Sequence, residues 1–251
     1  MILRPFLYES TACASYLFGC GTLGRLAVVD PHAELVDEYL AVAERLGSPI
    51  VAVFETHVQA DHLSGLSALV DATGARAYLP EGAGVAFEHH ALADGERVEL
   101  GNTLVTTLAT PGHAPAHAAF LVADRRRGSE EPWLAFTGDA LLVGDVGRPD
   151  LHAAGDPAGM ARTLHGSLCR LMELPDHVSV HPSHFGGSVC GRALSGNPFS
   201  TIGFERRHNR ALAHADADAF AAALLVDLPP VPDGQAAIVA ANRVGGVAAT
   251  A

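Results

Sequence analysis

The stretch Ile50-Val51-Ala52-Val53-Phe54-Glu55-Thr56-His57-Val58-Gln59-Ala60-Asp61-His62 decides how this chain is read. Its first five residues are an uninterrupted apolar run, the pattern of a buried strand. Two imidazoles, a carboxylate and an amide follow in Thr56–His62, where the strand ends and the chain turns. Neutral imidazole and carboxylate are good donors to first-row divalent ions, so a cluster of them on a rigid strand end reads as a metal site. Gln59 is the odd member. An amide is a poor ligand beside an imidazole, and its position bears on which metal chemistry is open to the protein.

The bulk numbers frame that reading without deciding it. A chain of 251 residues makes one large domain or two small ones and buries roughly three-quarters of its unfolded surface. A composition of 49% hydrophobic and 18% charged residues is globular rather than disordered. The formal charge of -12 argues against nucleic acid as a partner. There is no lysine, so the basic residues are all arginine, which fits a coding bias. Met1 to Tyr8 is too short and mixed for a signal peptide, and no apolar run is long enough to span a membrane. The expected location is the cytoplasm, with no membrane association. Cys13, Cys20, Cys169 and Cys190 form no CxxC pair and are expected as reduced thiols.

Periodicity predicts strands over Leu3–Leu7, Ala14–Phe18 and Arg25–Val29. Helical spacing from Pro31 to Leu46 ends at Gly47, a C-cap residue. Gly19-Cys20-Gly21-Thr22-Leu23-Gly24 matches GxGxxG, but an apolar strand follows it rather than a helix, so it reads as a hairpin turn and not a dinucleotide site. After the His-rich turn come a helix from Leu63 to Thr73 and strands at Arg76–Leu79, Arg97–Leu100, Thr103–Leu108, His117–Val122 and Leu134–Phe136. Gly82–Asp94 reads as a loop. A helix over Pro157–Leu174, a strand at Val178–Val180 and helices over Ile202–His214 and Asp216–Leu225 complete the pattern. Strands cluster, with helices between the clusters, which favours an α+β fold of two packed sheets with outer helices over a doubly wound parallel sheet. The expected domain is 1–230; Pro229–Gly234 reads as an exit linker and 231–251 as a C-terminal tail.

Three further polar turns follow predicted strands: Thr110-Pro111-Gly112-His113, Thr137-Gly138-Asp139 and His181-Pro182-Ser183-His184. Loops at one sheet edge are where a rigid scaffold presents functional groups. With these motifs the chain resembles the metallo-β-lactamase superfamily, an αββα sandwich, and Thr56–His62 departs from that family's HxHxDH only at Gln59. Phe136–Leu142 together with Gly147-Arg148-Pro149-Asp150-Leu151 is most similar to the persulfide dioxygenases and their glyoxalase II-like relatives. Gly186–Gly191 and Ser200–Gly203 resemble bacterial members that carry a following rhodanese domain, so a rhodanese acting in trans and a homodimer are expectations of the resemblance.

The resemblance implies two alternatives for the metal. In the hydrolases two metals sit side by side, and Gln59 would cost the first one an imidazole. In the dioxygenases one Fe(II) is held by the positions that are here His57, His113 and Asp139, a two-histidine, one-carboxylate face that leaves room for substrate and dioxygen. Gln59 is no ligand in that scheme, so mononuclear iron is expected, with Zn(II) as the alternative. Asp61, His62 and His184 then become supporting groups that hydrogen-bond water or orient the ligands, or else hold a second metal. Arg148 is the candidate to grip an anionic substrate through paired hydrogen bonds, with a structural pair to Asp145 or Asp150 as the other reading. His117 reads as packed core, while His89, His90, His152, His165, His177, His181, His208 and His214 read as solvent or capping residues. No cysteine is assigned as a nucleophile, because Cys13, Cys20 and Cys190 have no histidine at local spacing. The expected activity is oxidation of a low-molecular-weight thiol persulfide, such as glutathione persulfide, by dioxygen to sulfite and thiol. A dinuclear zinc thioester hydrolase is the alternative enzyme, and a non-catalytic metal-binding protein is a third class.

Overall fold

Strands that are apolar on both faces need cover on both sides, and the chain supplies it as four layers. The computed structural model describes residues 1–152, 155–188, 194–226, 228, 230–231 and 233–246. The first half gives β1 (Ile2–Tyr8), β2 (Cys13–Cys20), β3 (Arg25–Val29), α1 (Val36–Arg45), β4 (Ile50–Phe54), α2 (Leu66–Thr73), β5 (Arg76–Pro80) and β6 (His90–Leu92). These strands form one six-stranded sheet in sequential order, antiparallel from β1 to β3 and parallel from β3 to β6. The second sheet contains β7 (Arg97–Leu100), β8 (Thr103–Ala109), β9 (Ala118–Asp124), β10 (Leu134–Gly138), β11 (Ser179–Pro182) and β12 (Ser200–Thr201). Of its pairs only β10–β11 is parallel, and α3 (Pro157–Leu171) makes the crossover between them.

The sheets meet through Tyr16, Phe18, Val29 and Phe54 on one side and Phe120, Val122 and Phe136 on the other. Tyr39 and Leu69 of α1 and α2 pack on the outer face of the first sheet against Leu26, Val28 and Val53. Leu164, Leu168 and Leu171 of α3, with Phe220 of α5 (Ala217–Leu224), cover Ala119, Ala135 and Val180 of the second. This is the α+β sandwich expected from the clustering of strands. Among the described residues no helix is long and apolar enough to cross a membrane.

GxGxxG is the β2–β3 hairpin. A Cβ at Gly19 would lie 2.2 Å from the Arg25 carbonyl oxygen, so this glycine serves a close backbone approach and not a phosphate. Three expectations need correction. The Gly82–Asp94 loop contains β6, three residues that are too few to show a period. The helix expected over 202–214 divides into α4 (Ile202–His208) and a 3-10 turn (Arg210–Ala213), because the Asn209 side chain caps the second segment by accepting from the Ala211 N–H. The 231–251 segment, read only as a tail, contains a helix, α6 (Gln235–Arg243), docked on the domain: Gln235 donates to the Leu151 carbonyl and the Arg243 carbonyl accepts from the Ala86 N–H.

His181, read as a solvent or capping residue, is instead buried between the sheets beside Tyr16, Phe136 and Phe199. Burial pushes its pKa down to about 4. The unfolded chain therefore takes up the proton first, and stability is lost as the pH falls from the ordinary imidazole value of about 6.5 toward 4. His181→Leu should remove roughly 1–2 kcal/mol of the stability lost between pH 7 and pH 5. The check is the pH dependence of the urea midpoint, which should flatten in the variant.

Candidate metal centre

Four strand ends converge on one edge of the sandwich: β4 runs into Thr56–His62, β8 into Thr110–His113, β10 into Asp139 and β11 into Ser183–His184. They produce two groups of donors. His57, His113 and Asp139 form one, and Cys13, Asp61, His62 and His184 form the other, with the ligand atoms of each group within 4.8 Å of one another.

The first group is buried throughout. His113 Nε2 lies 3.4 Å and His57 Nε2 3.9 Å from Asp139 Oδ2. That oxygen is buried and has no hydrogen-bond partner among the described residues. A buried carboxylate oxygen in that condition costs free energy unless a cation meets it, so the donor set fits a metal ion.

The hydrogen bonds around the group dictate its tautomers. The Thr56 hydroxyl has one proton, and it donates that to Asp30, 2.9 Å from Oδ2. It therefore accepts from His57 Nδ1 at 2.9 Å, which leaves the Nε2 lone pair toward Asp139. His113 Nδ1 donates to the Arg148 carbonyl at 2.9 Å, with the same result. Burial, followed by the neighbouring His113, pushes the His57 pKa well below the imidazole range, and burial lowers that of His113. Both are thus neutral donors. Burial works to raise the Asp139 pKa, but the imidazoles of His184, His113 and His57 outweigh it and hold the carboxyl below its ordinary value. Outer partners of this kind set ligand orientation in metal sites.

Asp30 anchors this arrangement. Buried at the end of β3 with a positive φ of 50°, it also accepts from the Thr56 N–H at 2.7 Å and from the Ser183 hydroxyl at 2.5 Å. Burial pushes its pKa up against those hydrogen bonds.

In the second group, His184 Nε2 lies 2.5 Å from Asp61 Oδ2 and His62 Nδ1 3.0 Å from Asp61 Oδ1. His184 Nδ1 is 2.7 Å from Asp139 Oδ1, which links the two groups. Burial would raise the Asp61 pKa, yet His184 and His62 hold it well down. Burial would likewise lower that of His62, yet Asp61 holds it well up.

Gln59 directs its amide nitrogen away to Glu55, while its Oε1 is buried with no hydrogen-bond partner among the described residues. Its amide nitrogen is 3.3 Å from Glu55 Oε2, and Glu55 also accepts from the Ser64 hydroxyl. Asn242 of α6 closes this back side by donating to the carbonyls of Gln59 and His62 at 3.0 and 2.9 Å and accepting from the Ser64 N–H at 3.0 Å.

Arg148 as a substrate grip is corrected. Its side chain is 1% exposed, and Nε and Nη2 donate to the two oxygens of Asp150 at 3.0 and 2.7 Å. The structural pair with Asp150 is the alternative that holds. Gly147 keeps this segment close: a Cβ there would sit 1.9 Å from the Asp139 carbonyl oxygen. His117 is buried as expected but is more than packing. It stacks on His57 at 5.1 Å between centroids, accepts from the Asp139 N–H at 3.1 Å and bonds Thr110. His152 is no solvent residue either; its ring centre is 5.6 Å from that of His113, and burial pushes its pKa down to about 4. Cys13 was not assigned because its histidine partners lie 49 and 171 residues away, beyond any local spacing rule. Cys190 lies outside the described residues. Cys13, Cys20 and Cys169 are free thiols.

The sandwich and its paired donor groups define a class, the metal-dependent enzymes built on this αββα frame. A profile of the Metallo-beta-lactamase superfamily matches residues 11–184, and the chain belongs to that superfamily. It is 28% identical to the persulfide dioxygenase ETHE1, mitochondrial, of Homo sapiens over 211 residues, 81% of this chain and 78% of that protein. It is 37% identical to the hydroxyacylglutathione hydrolase of Cereibacter sphaeroides over 192 residues, 73% of this chain and 66% of that one. Among solved structures, ETHE1 from Myxococcus xanthus matches with a TM-score of 0.85 and 31% identity, covering 98% of this chain and 100% of that chain.

Asn242→Ala removes three hydrogen bonds from the back of the ligand loop and should cost roughly 1–3 kcal/mol. Urea denaturation measures the loss, and hydrogen exchange should locate the loosening at Gln59–Ser64.

Proposed function

We propose that this protein is a persulfide dioxygenase that oxidises the outer sulfur of a low-molecular-weight thiol persulfide, such as glutathione persulfide. The observation that carries the reading is the direction of Gln59. With its amide turned to Glu55, the first group is two histidines and one carboxylate, a face that suits a single Fe(II) held by His57, His113 and Asp139. When bound, such an iron supplies a redox-active centre with open positions for a soft sulfur donor and for dioxygen.

The chain's own residues account for the remaining demands. The Thr56 hydroxyl and the Arg148 carbonyl aim the two imidazoles through their Nδ1 atoms, and burial keeps both rings neutral. The Asp139 backbone is held by His117 and one of its oxygens by His184. In the balanced reaction one persulfide RSSH, one dioxygen and one water give thiol RSH, sulfite and two protons. The sulfur–sulfur bond breaks, the outer sulfur is oxidised and dioxygen is reduced. The departing thiolate takes up a proton, and His152 lines this side of the group with its ring centre 5.6 Å from that of His113.

A thioester hydrolase reading draws on the second group, which could hold another ion beside the first, and on the similarity to hydroxyacylglutathione hydrolases. The two readings separate on metal content and oxygen uptake. Protein purified without air should hold iron and consume oxygen only when glutathione persulfide is present. His113→Ala should lose at least as much as the roughly 10–100-fold that an outer partner's loss costs, whereas Gln59→Ala should stay within about threefold of the parent. Zinc in both groups, thioester hydrolysis and no oxygen uptake would overturn the assignment.

A further inference from the structure

His152 stands beside the first donor group without being one of its members. Its ring centre lies 5.6 Å from that of His113 and 6.3 Å from that of His57, at interplanar angles of 71° and 87°. His57 and His113 are themselves 4.9 Å apart at 88°, so the three imidazoles form the nearly perpendicular walls of one corner. Two rings that ligate one ion through nitrogen arms of about 2.0–2.1 Å have their centres about 4.5–5.2 Å apart. His57 and His113 satisfy that spacing. His152 is set back from both, outside the ligand set but within reach of a group bound in front of it. The Nδ1 atoms of the other two rings are committed to Thr56 and Arg148. The Nε2 atom of His152 is buried and meets no hydrogen-bond partner among the described residues. Two orphaned polar atoms therefore occur at this centre, Asp139 Oδ2 and His152 Nε2, and each costs free energy until a partner arrives. A cation meets the carboxylate oxygen. A neutral imidazole with its proton on Nε2 calls instead for an acceptor.

We propose that His152 is a recognition residue for the open face of the first group, donating from Nε2 to an anionic acceptor that binds there beside the ion. Under the dioxygenase reading that acceptor is the outer sulfur of the persulfide anion, and only this identification rests on that reading. The chain holds the donor still. Two residues before it, Asp150 takes both arms of the Arg148 guanidinium. Directly before it, the Leu151 carbonyl accepts from Gln235 of α6 at 2.7 Å. A donor fixed before its ligand arrives loses little freedom on binding, so more of the hydrogen bond appears as affinity. A charged acceptor strengthens such a bond further. Of the charged groups that bear on the ring, Asp139 and Asp61 are engaged with histidines, and Arg243 of α6 is the cation that favours an anionic occupant.

Ligand binding reads this role without turnover. The full chain, stripped of metal and reloaded with one equivalent of cobalt(II), is titrated with azide, a small anion, and followed by the visible absorbance of the ion. The wild type should bind azide saturably. His152→Phe keeps a ring and removes both nitrogens. It should hold cobalt within about threefold of the wild type and bind azide at least about tenfold more weakly. His152→Gln, which restores an N–H, should recover part of that loss. His152→Ala tests the same loss should the phenylalanine variant fail to fold. Equal azide affinity with and without the imidazole, or no azide binding by the wild type, overturns the proposal. So does a tenfold fall in cobalt affinity in the variant, the mark of a third protein ligand. A wild type that binds azide but shows no persulfide-dependent oxygen uptake overturns the dioxygenase reading alone.

Discussion

Asp30 accepts hydrogen bonds from the Thr56 backbone, the Thr56 hydroxyl and the Ser183 hydroxyl, and through them it pins the ends of β3, β4 and β11 together. The first two strands belong to one sheet and the third to the other. The carboxylate therefore locks the two sheets at the edge where the ligands emerge. Burying it is costly, and the hydrogen bonds offset that cost only while all three partners stay in place. His57 follows directly from Thr56, and His184 directly from Ser183, so the positions of one member of each donor group depend on this contact.

A second layer of constraint comes from behind the ligand loop. Glu55 sits in the interior, and burial pushes its pKa up to about 8. Gln59 and Ser64 both donate to it, and Asn242 of α6 ties the carbonyls of Gln59 and His62 to the C-terminal helix. An amide at position 59 thus serves the loop's own hydrogen bonds. The same side chain that is a poor metal ligand is a good donor to a buried carboxyl, which gives a physical account of the departure from HxHxDH.

Much of the fold was legible in the sequence. Arg25–Val29, Ile50–Phe54 and Arg97–Leu100 occupy the residues expected of them, the first two because an apolar run bounded by turn residues leaves few alternatives and the third because it alternates charged and apolar residues. The ligand turns were legible for a related reason: each follows a strand that could be recognised by itself. What escaped were elements without a local signal. Strand β6 is stabilised by pairing with β5, and α6 by side chains reaching across the molecule. His181 and His152 look like surface residues in sequence because histidine has no strong preference for either environment.

The amino-acid sequence by itself determined the alternation of buried strands and amphipathic helices and the residues that could act as ligands, since both follow from spacing along the chain. Tertiary structure alone decided how those residues are used. It turned Gln59 toward Glu55, spent the Arg148 guanidinium on Asp150, set His117 under Asp139 and brought Cys13 to His184 from 171 residues away. Covalent spacing constrains which side chains can meet within a turn. Which ones meet across the molecule depends on how two sheets pack and where their strand ends fall.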